Sequence, residues 1–370
     1  MKTFLIALFF LSLSQCAFSQ KLNPGYDPIE YFELLKISSQ QGDSLYNPDL
    51  PFPEKHRRTY RSRVMGMDNR WELWESKDSV AVISIRGTTT NQLSWVENFF
   101  SAMVPATGKI KLSTNFEFDY QLAEDKDAAV HIGWLTAVGF LGRDILPKID
   151  SLKSKGIKEF LIIGHSQGGS IAILLAAYFE KLKLKGELDP TIIFKTYSSA
   201  GPKPGNLFFA YDFEAMTQNG WAFNVVNTAD WVPEGPFSIQ TTDDFNASNP
   251  FRLVKDGLKK LPFKQRVILK KIYQDLEKLP KKANKRYQKY LGKMIGNNLQ
   301  EALPGFEMPD LYNSNNYVRT GTQVILHAND EYYKLFPEKT EMIWNHHMYE
   351  AYYFLLNGSV IPMKNISSLK

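Results

Sequence analysis

Residues 161–170 read LIIGHSQGGS and join an apolar run to a helix-like run, IAILLAAYFEKLK. We infer a buried strand that turns sharply into a helix, with Ser166 at the apex. Such a turn strains the apex residue and requires neighbours without bulk two positions away, which explains Gly164 and Gly168. The helix directs unpaired N–H groups and the positive end of its dipole at the same point. The pattern predicts a nucleophile elbow; the alternative is a tight turn without chemistry.

Strand-like and helix-like segments alternate along most of the chain. Apolar and β-branched runs predict strands at 79–87, 158–164 and 322–330. Segments 191–206 and 222–236 are each predicted to be a strand followed by a loop. Helical periodicity predicts helices over 128–156 and from Ser166 to about Leu184, and residues 342–356 are expected to form a C-terminal helix or the approach to one. Because this alternation favours parallel pairing, we expect an α/β fold with a mostly parallel sheet and helices on both faces.

The N-terminal residues are typical of an exported protein. Lys2, the apolar run 4–13 and the small residues of AFS predict a signal peptide over 1–19, with the mature chain beginning at Gln20. We therefore expect a secreted or periplasmic protein. A lipid anchor on Cys16 is the alternative, which Gln15 disfavours. Since Cys16 is the only cysteine, cleavage after Ser19 leaves no disulfide, zinc–thiolate site or thiol nucleophile.

The formal charge of +5 is unevenly distributed. Residues 251–300 contain 15 Lys and Arg against 3 Asp and Glu. The segment 251–301 is helical in character and interrupts the alternation, which predicts a helical insertion in the core domain of residues 20–370. A solvated cap over the site is the favoured interpretation, and contact with an anionic membrane surface is the alternative. Export argues against a nucleic-acid partner, and no pattern fixes an oligomeric state.

A serine nucleophile requires a base, and the base requires an orienting acid. In α/β-hydrolase order the acid follows the serine and the histidine comes last, which leaves His327, His346 and His347. Among the remaining histidines, His165 adjoins the nucleophile and is expected to pack away from its hydroxyl. We expect a buried structural role for His131 and a surface position for His56.

The acid and the oxyanion donors follow from the ends of predicted strands. Asp230 lies a few residues after the apolar run AFNVV, whereas Asp243 and Asp244 lie in a polar loop without a strand beneath them. The Gln167 N–H follows the nucleophile and is one expected oxyanion donor. Thr88, just past the strand that ends near Arg86, is the other, and its hydroxyl is a candidate third donor.

Five segments in order resemble the class 3 lipases, which are fungal-lipase-like α/β-hydrolases. They lie within residues 80–236 and read IRGTTTNQLSWVENFF, VHIGW, GHSQGG, SSAGPKPGNLFFA and VVNTADWVPEGP. The resemblance implies Ser166 as nucleophile, Asp230 as acid, and Thr88 and Gln167 as the oxyanion hole. It also implies that residues 89–104 correspond to the family's mobile lid. Its apolar side chains are candidates to face a lipid surface, with core packing as the alternative for Trp95 and Phe99. They are Leu93, Trp95, Val96, Phe99, Phe100 and Met103.

The resemblance also ranks the three late histidines. Some members carry a histidine followed five residues later by a tyrosine, and His347 with Tyr352 matches that spacing. His346 is one residue off the pattern, and His327 follows a predicted strand. We therefore expect His347 to be the base, with His327 and His346 as alternatives.

Together these features predict a secreted lipase or carboxylesterase. It would cleave acyl esters of lipids through an acyl-enzyme, without a metal or organic cofactor. A phospholipase A-type acyl hydrolase is the alternative within the enzymes, with proteolysis disfavoured by the resemblance. A non-catalytic lipid- or surface-binding protein is the alternative outside them. Contact with a lipid interface is expected through 89–104 or through the basic segment.

Overall fold

The computed structural model describes residues 20–42, 50–259 and 261–360. The predicted signal peptide, with Cys16, lies outside the described residues. The described strands, in chain order, are β1 (His56–Arg61), β2 (Trp71–Ser76), β3 (Val80–Ile85), β4 (Met103–Pro105), β5 (Thr107–Ser113), β6 (Phe116–Gln121), β7 (Ala129–His131), β8 (Glu159–His165), β9 (Ile193–Ser199), β10 (Gly205–Asn206), β11 (Ala222–Asn227), β12 (Tyr317–Val318) and β13 (Thr322–Leu326).

The described α-helices are α1 (Pro28–Ser39), α2 (Gln92–Phe99), α3 (Ile132–Ser154), α4 (Gln167–Leu184), α5 (Leu207–Met216), α6 (Val254–Leu258), α7 (Phe263–Gln288), α8 (Ile295–Asn297), α9 (Asp330–Leu335) and α10 (Tyr349–Val360). A π-helical turn, Lys289–Met294, follows α7 directly. Residues Val232–Glu234, Thr242–Asp244 and Thr340–Met342 form short 3₁₀ turns.

The central sheet has seven strands in the order β1-β2-β3-β8-β9-β11-β13. The strands from β3 to β13 pair in parallel, and β1 and β2 add an antiparallel edge. Strands β12, β10, β7 and β4 form a separate four-stranded sheet, and β5 pairs with β6. The mostly parallel sheet predicted from the alternation is therefore confirmed.

Both faces of the central sheet are buried, as the apolar runs predict. On β3, Ala81 and Ile83 belong to the hydrophobic core that contains α3 and α4. Val80 and Val82, whose side chains point the opposite way, belong to a second core with α1 and α10. Burying each large aliphatic side chain stabilises the fold by about 1.5–3 kcal/mol. The two cores fix the position of the β8–α4 turn between them.

The helix predicted over 128–156 was wrong at its start. Residues Ala129–His131 form strand β7, which pairs with β4 and β10, and the helix begins at Ile132. The Nδ1 of His131 accepts a hydrogen bond from the Trp134 N–H and caps α3, which explains why the helix starts there. Pro147 lies inside α3, and the helix continues to Ser154.

The basic segment is helical in the structure and lies between β11 and β13, which are neighbours in the central sheet. Helix α7 is bound to the body of the protein near its C-terminal end. The Tyr287 hydroxyl lies 2.6 Å from Ser101 Oγ, and the Leu291 carbonyl accepts hydrogen bonds from the N–H groups of Ser101 and Ala102. The insertion is therefore hydrogen-bonded to the segment that directly follows α2.

Candidate active site

Ser166 lies at the turn between β8 and α4. Its backbone has φ 61° and ψ −134°, a strained conformation for a residue with a side chain. A Cβ on Gly164 would collide with the Gly168 carbonyl, and one on Gly168 would lie 2.6 Å from the Ile85 carbonyl oxygen. The strand, the turn and the helix are therefore too close for any residue but glycine at both positions. The half-buried serine is held at the carboxyl edge of the sheet.

An acid–base pair lies beside this turn. His347 Nδ1 is 2.7 Å from Asp230 Oδ2, and both residues are buried. Because a carboxylate accepts, Nδ1 carries the proton in the neutral imidazole, which leaves a lone pair on Nε2. This Nε2 is buried and has no hydrogen-bond partner among the described residues. The arrangement leaves one nitrogen of the ring free to accept a proton.

Two further groups fix the Asp230 carboxylate. The Tyr352 hydroxyl donates to Oδ2 at 2.8 Å, and the Val232 N–H donates to Oδ1 at 3.0 Å. The same hydroxyl accepts a hydrogen bond from the Asn227 N–H at 3.1 Å. Burial, together with the nearby Asp230 charge, raises the pKa of Tyr352 well above its usual value, so the hydroxyl keeps its proton. Tyr352 thus connects α10 to the end of β11, where Asp230 begins its loop.

His165, the residue before the nucleophile, connects the elbow to the base. Its Nε2 donates to the His347 carbonyl oxygen at 2.8 Å, and its Nδ1 lies 2.9 Å from Ser199 Oγ. The Ser199 hydroxyl also meets the Tyr31 hydroxyl of α1 at 2.6 Å. Burial, and secondarily the adjacent His347, lowers the pKa of His165 well below its usual value. His165 is therefore a neutral, packed residue that positions the backbone of His347.

Thr88 and Gln167, the two expected oxyanion donors, are joined by a side-chain hydrogen bond. Gln167 is the first residue of α4, where an N–H has no partner within the helix, and no hydrogen bond involves the Thr88 N–H among the described residues. The Thr88 hydroxyl donates to Gln167 Oε1 at 3.0 Å and accepts from Asn98 Nδ2 at 2.9 Å. Since its proton is used for Gln167, the hydroxyl is not free as the third donor expected from the sequence.

A buried carboxyl group on helix α2 binds Gln167. Gln167 Nε2 donates to Glu97 Oε2 at 2.6 Å, and Asn69 Nδ2 lies 2.9 and 3.0 Å from the two Glu97 oxygens. Glu97 is fully buried, and this burial raises its pKa well above the usual value. Sequence reasoning missed Glu97, because an acidic residue in a predicted lid helix gives no sign that it points inward.

The predicted lid segment is only partly exposed. Trp95 and Phe99 on α2 are exposed and stack on each other, and Trp95 contacts Trp344, three residues before His347. Leu93 and Val96 are half-buried against the core. The expectation that Phe100 and Met103 face outward was wrong. Phe100 and Met103 are fully buried. Phe100 follows the last residue of α2, and Met103 begins the buried strand β4.

The alternative bases have other surroundings. His346 Nδ1 lies 2.8 Å from the Tyr332 hydroxyl, and His327 is exposed beyond the end of β13.

His131 is buried and structural, as expected. Its Nε2 lies 3.2 Å from the Asn98 carbonyl, and burial lowers its pKa to about 3. The surface position expected for His56 was wrong, since it is buried with Nδ1 3.5 Å from Glu33 Oε1.

The alternative acids, Asp243 and Asp244, bind partners near their own loop and in the insertion. Asp244 caps its own 3₁₀ turn through Thr241, and Asp243 pairs with Lys281 of the insertion. Neither therefore replaces Asp230 as the partner of a late histidine. In the parts of the chain that the structure describes, no group of three His, Cys, Asp or Glu side chains is arranged to hold a metal ion.

Together, the mostly parallel sheet, the helices on both faces and the serine on a strand–helix turn define an α/β-hydrolase fold. Residues 82–239 match the family Lipase (class 3). The segment includes Thr88, Ser166, Gln167 and Asp230. It ends well before His347, so the base candidate lies outside the family match.

Two fungal proteins share part of the sequence. The secreted mono- and diacylglycerol lipase 1 of Fusarium solani is 30% identical over 169 residues, which cover 43% of this chain and 48% of the relative. The secreted mono- and diacylglycerol lipase MDL4 of Malassezia globosa is 28% identical over 203 residues, 53% of this chain and 59% of the relative. The chain thus spans about half the length of these relatives.

Solved structures resemble the chain more distantly. The Lip2 lipase of Yarrowia lipolytica has 16% identity and a TM-score of 0.43, with 59% of this chain and 78% of the other covered. Lipase II from Rhizopus niveus has 19% identity and a TM-score of 0.41, with 56% of this chain and 74% of the other covered.

Proposed function

We propose that the protein is a secreted serine ester hydrolase that cleaves acyl esters of lipids. One observation carries the proposal. The His347 ring donates to Asp230 through Nδ1 and leaves a buried, unpartnered Nε2 beside the turn that presents Ser166. A fold that needed His347 only for packing would pair that nitrogen, since a buried polar atom without a partner costs about 1–3 kcal/mol.

In the proposed reaction, Ser166 Oγ attacks the acyl carbonyl while His347 Nε2 takes its proton. Asp230 stabilises the resulting imidazolium, and the N–H groups of Thr88 and Gln167 bind the oxyanion. His347 then protonates the leaving alcohol, and water repeats the sequence on the acyl-enzyme. The Ser166–His347 hydrogen bond would form when substrate enters, as catalytic contacts often tighten in the complex.

The family match over residues 82–239 supports lipid esters as the substrate class, and the relatives named as mono- and diacylglycerol lipases favour partial glycerides. The exposed Trp95 and Phe99 on α2 are suited to contact a lipid interface close to the site. The N-terminal sequence and the naming of both relatives as secreted support export of the mature chain from Gln20.

The test is a Ser166→Ala variant assayed with a soluble nitrophenyl ester and with a fluorophosphonate probe. We expect loss of at least about 10³-fold in kcat and no covalent labelling, with the thermal midpoint nearly unchanged. Ser170→Ala, on the next turn of α4, is a control that alters a buried serine without touching the apex.

Full activity of Ser166→Ala would refute the proposal. A wild-type protein that binds lipid but takes no label would favour the non-catalytic alternative. Turnover of phospholipid esters in preference to glycerides would favour the phospholipase A alternative.

A further inference from the structure

Helix α7 carries an apolar surface that faces solvent. Leu269, Ile272, Leu276 and Leu279 follow one another at intervals of three, four and three residues, so they form one stripe along the helix. All four are exposed, and the fractions for Leu276 and Leu279 are 72% and 69%. We call these four residues the apolar stripe. A soluble helix normally turns such a stripe toward the core.

Lys281 and Gln288 attach α7 from a side of the helix away from the apolar stripe, and Tyr287 attaches it near its C-terminal end. Lys281 pairs with Glu277 at 2.6 Å and with Asp243 at 3.0 Å, and Tyr287 meets Ser101. The Gln288 amide donates to the Tyr312 carbonyl at 2.9 Å. These contacts orient the helix on the protein and leave the apolar stripe outward.

Basic side chains adjoin the stripe. Lys282 and Arg286 lie three and seven residues after Leu279, which places them on nearly the same side of the helix, and they line one shallow surface groove with Leu279 and Tyr290. Further exposed cations on α7 and the following turn are Lys264, Lys270, Lys271, Lys278, Lys285, Lys289 and Lys293. An apolar stripe bordered by lysines is the pattern of helices that lie in a membrane interface.

We propose that the apolar stripe of α7 docks on a bilayer surface that contains anionic phospholipid. Charge complementarity selects this occupant, because the excess of positive charge in the chain is concentrated at residues 251–300. Since α7 ends on the segment after α2, docking would hold the membrane near the exposed Trp95 and Phe99. The purpose of docking, delivery of lipid esters to Ser166, rests on the proposed function. The binding itself is measured without turnover.

The experiment measures binding of the full mature chain, carrying Ser166→Ala to prevent hydrolysis, to vesicles of phosphatidylcholine with and without about 30% phosphatidylglycerol. We expect at least about tenfold tighter binding to the anionic vesicles, weakened by high salt. Leu276→Ser with Leu279→Ser should weaken binding about tenfold or more. Leu184→Ser is the matched control, since Leu184 is 71% exposed at the end of another helix.

A second pair of variants tests the charges. Lys282→Gln with Arg286→Gln should reduce the preference for anionic vesicles by about three- to tenfold, whereas Lys155→Gln with Lys158→Gln, both exposed beyond α3, should leave it unchanged. Hydrolysis of a soluble ester by the same variants with Ser166 intact should equal wild type. This arm separates the two proposals, because absence of soluble-ester turnover would refute the hydrolase alone.

Three results would overturn the docking proposal. One is vesicle binding that is indifferent to lipid charge. Another is equal binding by the Leu276/Leu279 and Leu184 variants. The third is a stable dimer in solution that dissociates when the apolar stripe is changed, since that would make a second copy of the chain the occupant.

Discussion

At the scale of single residues, the site depends on how one carboxylate is held. Asp230 accepts from His347, Tyr352 and the Val232 N–H, so each of its oxygens has a fixed partner. A carboxylate fixed in this way keeps the imidazole in one tautomer and one orientation. The Tyr352 hydroxyl is the one of these donors that a side-chain change removes without touching the proposed triad.

We expect Tyr352→Phe to lower kcat about tenfold with little change in KM, because Asp230 loses a donor while substrate contacts remain. The free energy of unfolding should fall by about 1–3 kcal/mol, since the buried Asn227 N–H also loses its acceptor. Steady-state kinetics and urea unfolding measure the two effects. Tyr353→Phe changes the neighbouring tyrosine, which packs against Phe32, and is the control. Equal kinetics for both variants would contradict a positioning role for Tyr352.

The sequence indicated the elbow, the acid loop and the late histidine because each follows a recognisable strand or spacing. It did not indicate that Tyr352 binds Asp230, although the five-residue spacing from His347 was visible. Glu97 left no sequence signal at all. Its inward direction depends on Asn69 and Gln167, which lie far from it in the chain and meet it only after folding.

At the scale of elements, the β8–α4 turn sets the closest approach in the site. Gly164 is in contact with the backbone of Gly168, and Gly168 with the end of β3. Backbone atoms cannot rotate away as a side chain would. Any added carbon must therefore separate the strand from the helix and displace Ser166.

Gly164→Ala should lower the free energy of unfolding by about 3 kcal/mol or more and abolish esterase activity, because the new methyl group meets backbone carbonyl. Differential scanning calorimetry and the soluble-ester assay measure the change. Gly257→Ala makes the same substitution in α6 where nothing lies within 4 Å, and it should be neutral or slightly stabilising. A Gly164→Ala protein as stable and active as wild type would show that the turn relaxes.

The predictions of helices and strands were accurate where the apolar residues recur periodically over a long segment. Helix α4 ends at Leu184, the residue expected from the sequence. The helix prediction was wrong for the three residues of β7. Their pairing with β4 and β10 comes from remote segments, and their apolar pattern matches the start of a helix equally well. Short strands in the four-stranded sheet carry too few residues to show a period of two.

At the scale of the whole molecule, stability depends on histidines that stay neutral in the core. His131 caps α3 through Nδ1 and donates through Nε2 to Asn98, so folding permits one neutral form of the ring. Its pKa of about 3 lies below the ordinary value. The unfolded chain therefore binds one more proton between about pH 3 and 6.5. Stability from this residue is complete above that range and is lost as the pH falls through it.

We expect His131→Asn to reduce the dependence of unfolding free energy on pH by up to about 1.4 kcal/mol per pH unit between about pH 4.5 and 5.5. Asparagine retains a capping acceptor for α3 while removing the titrating ring. Urea unfolding at several pH values provides the slope, and His327→Asn, at an exposed histidine, is the control. Identical slopes for wild type and His131→Asn would contradict the argument.

The hydrogen bond from His165 to the His347 carbonyl spans 182 positions of sequence. While the polypeptide is being synthesised, the elbow and Asp230 are made long before the imidazole that would complete them. On the proposed mechanism, a nascent chain is chemically inert until the segment that carries His347 has emerged and docked. The order of synthesis would thus delay ester hydrolysis until the chain has folded.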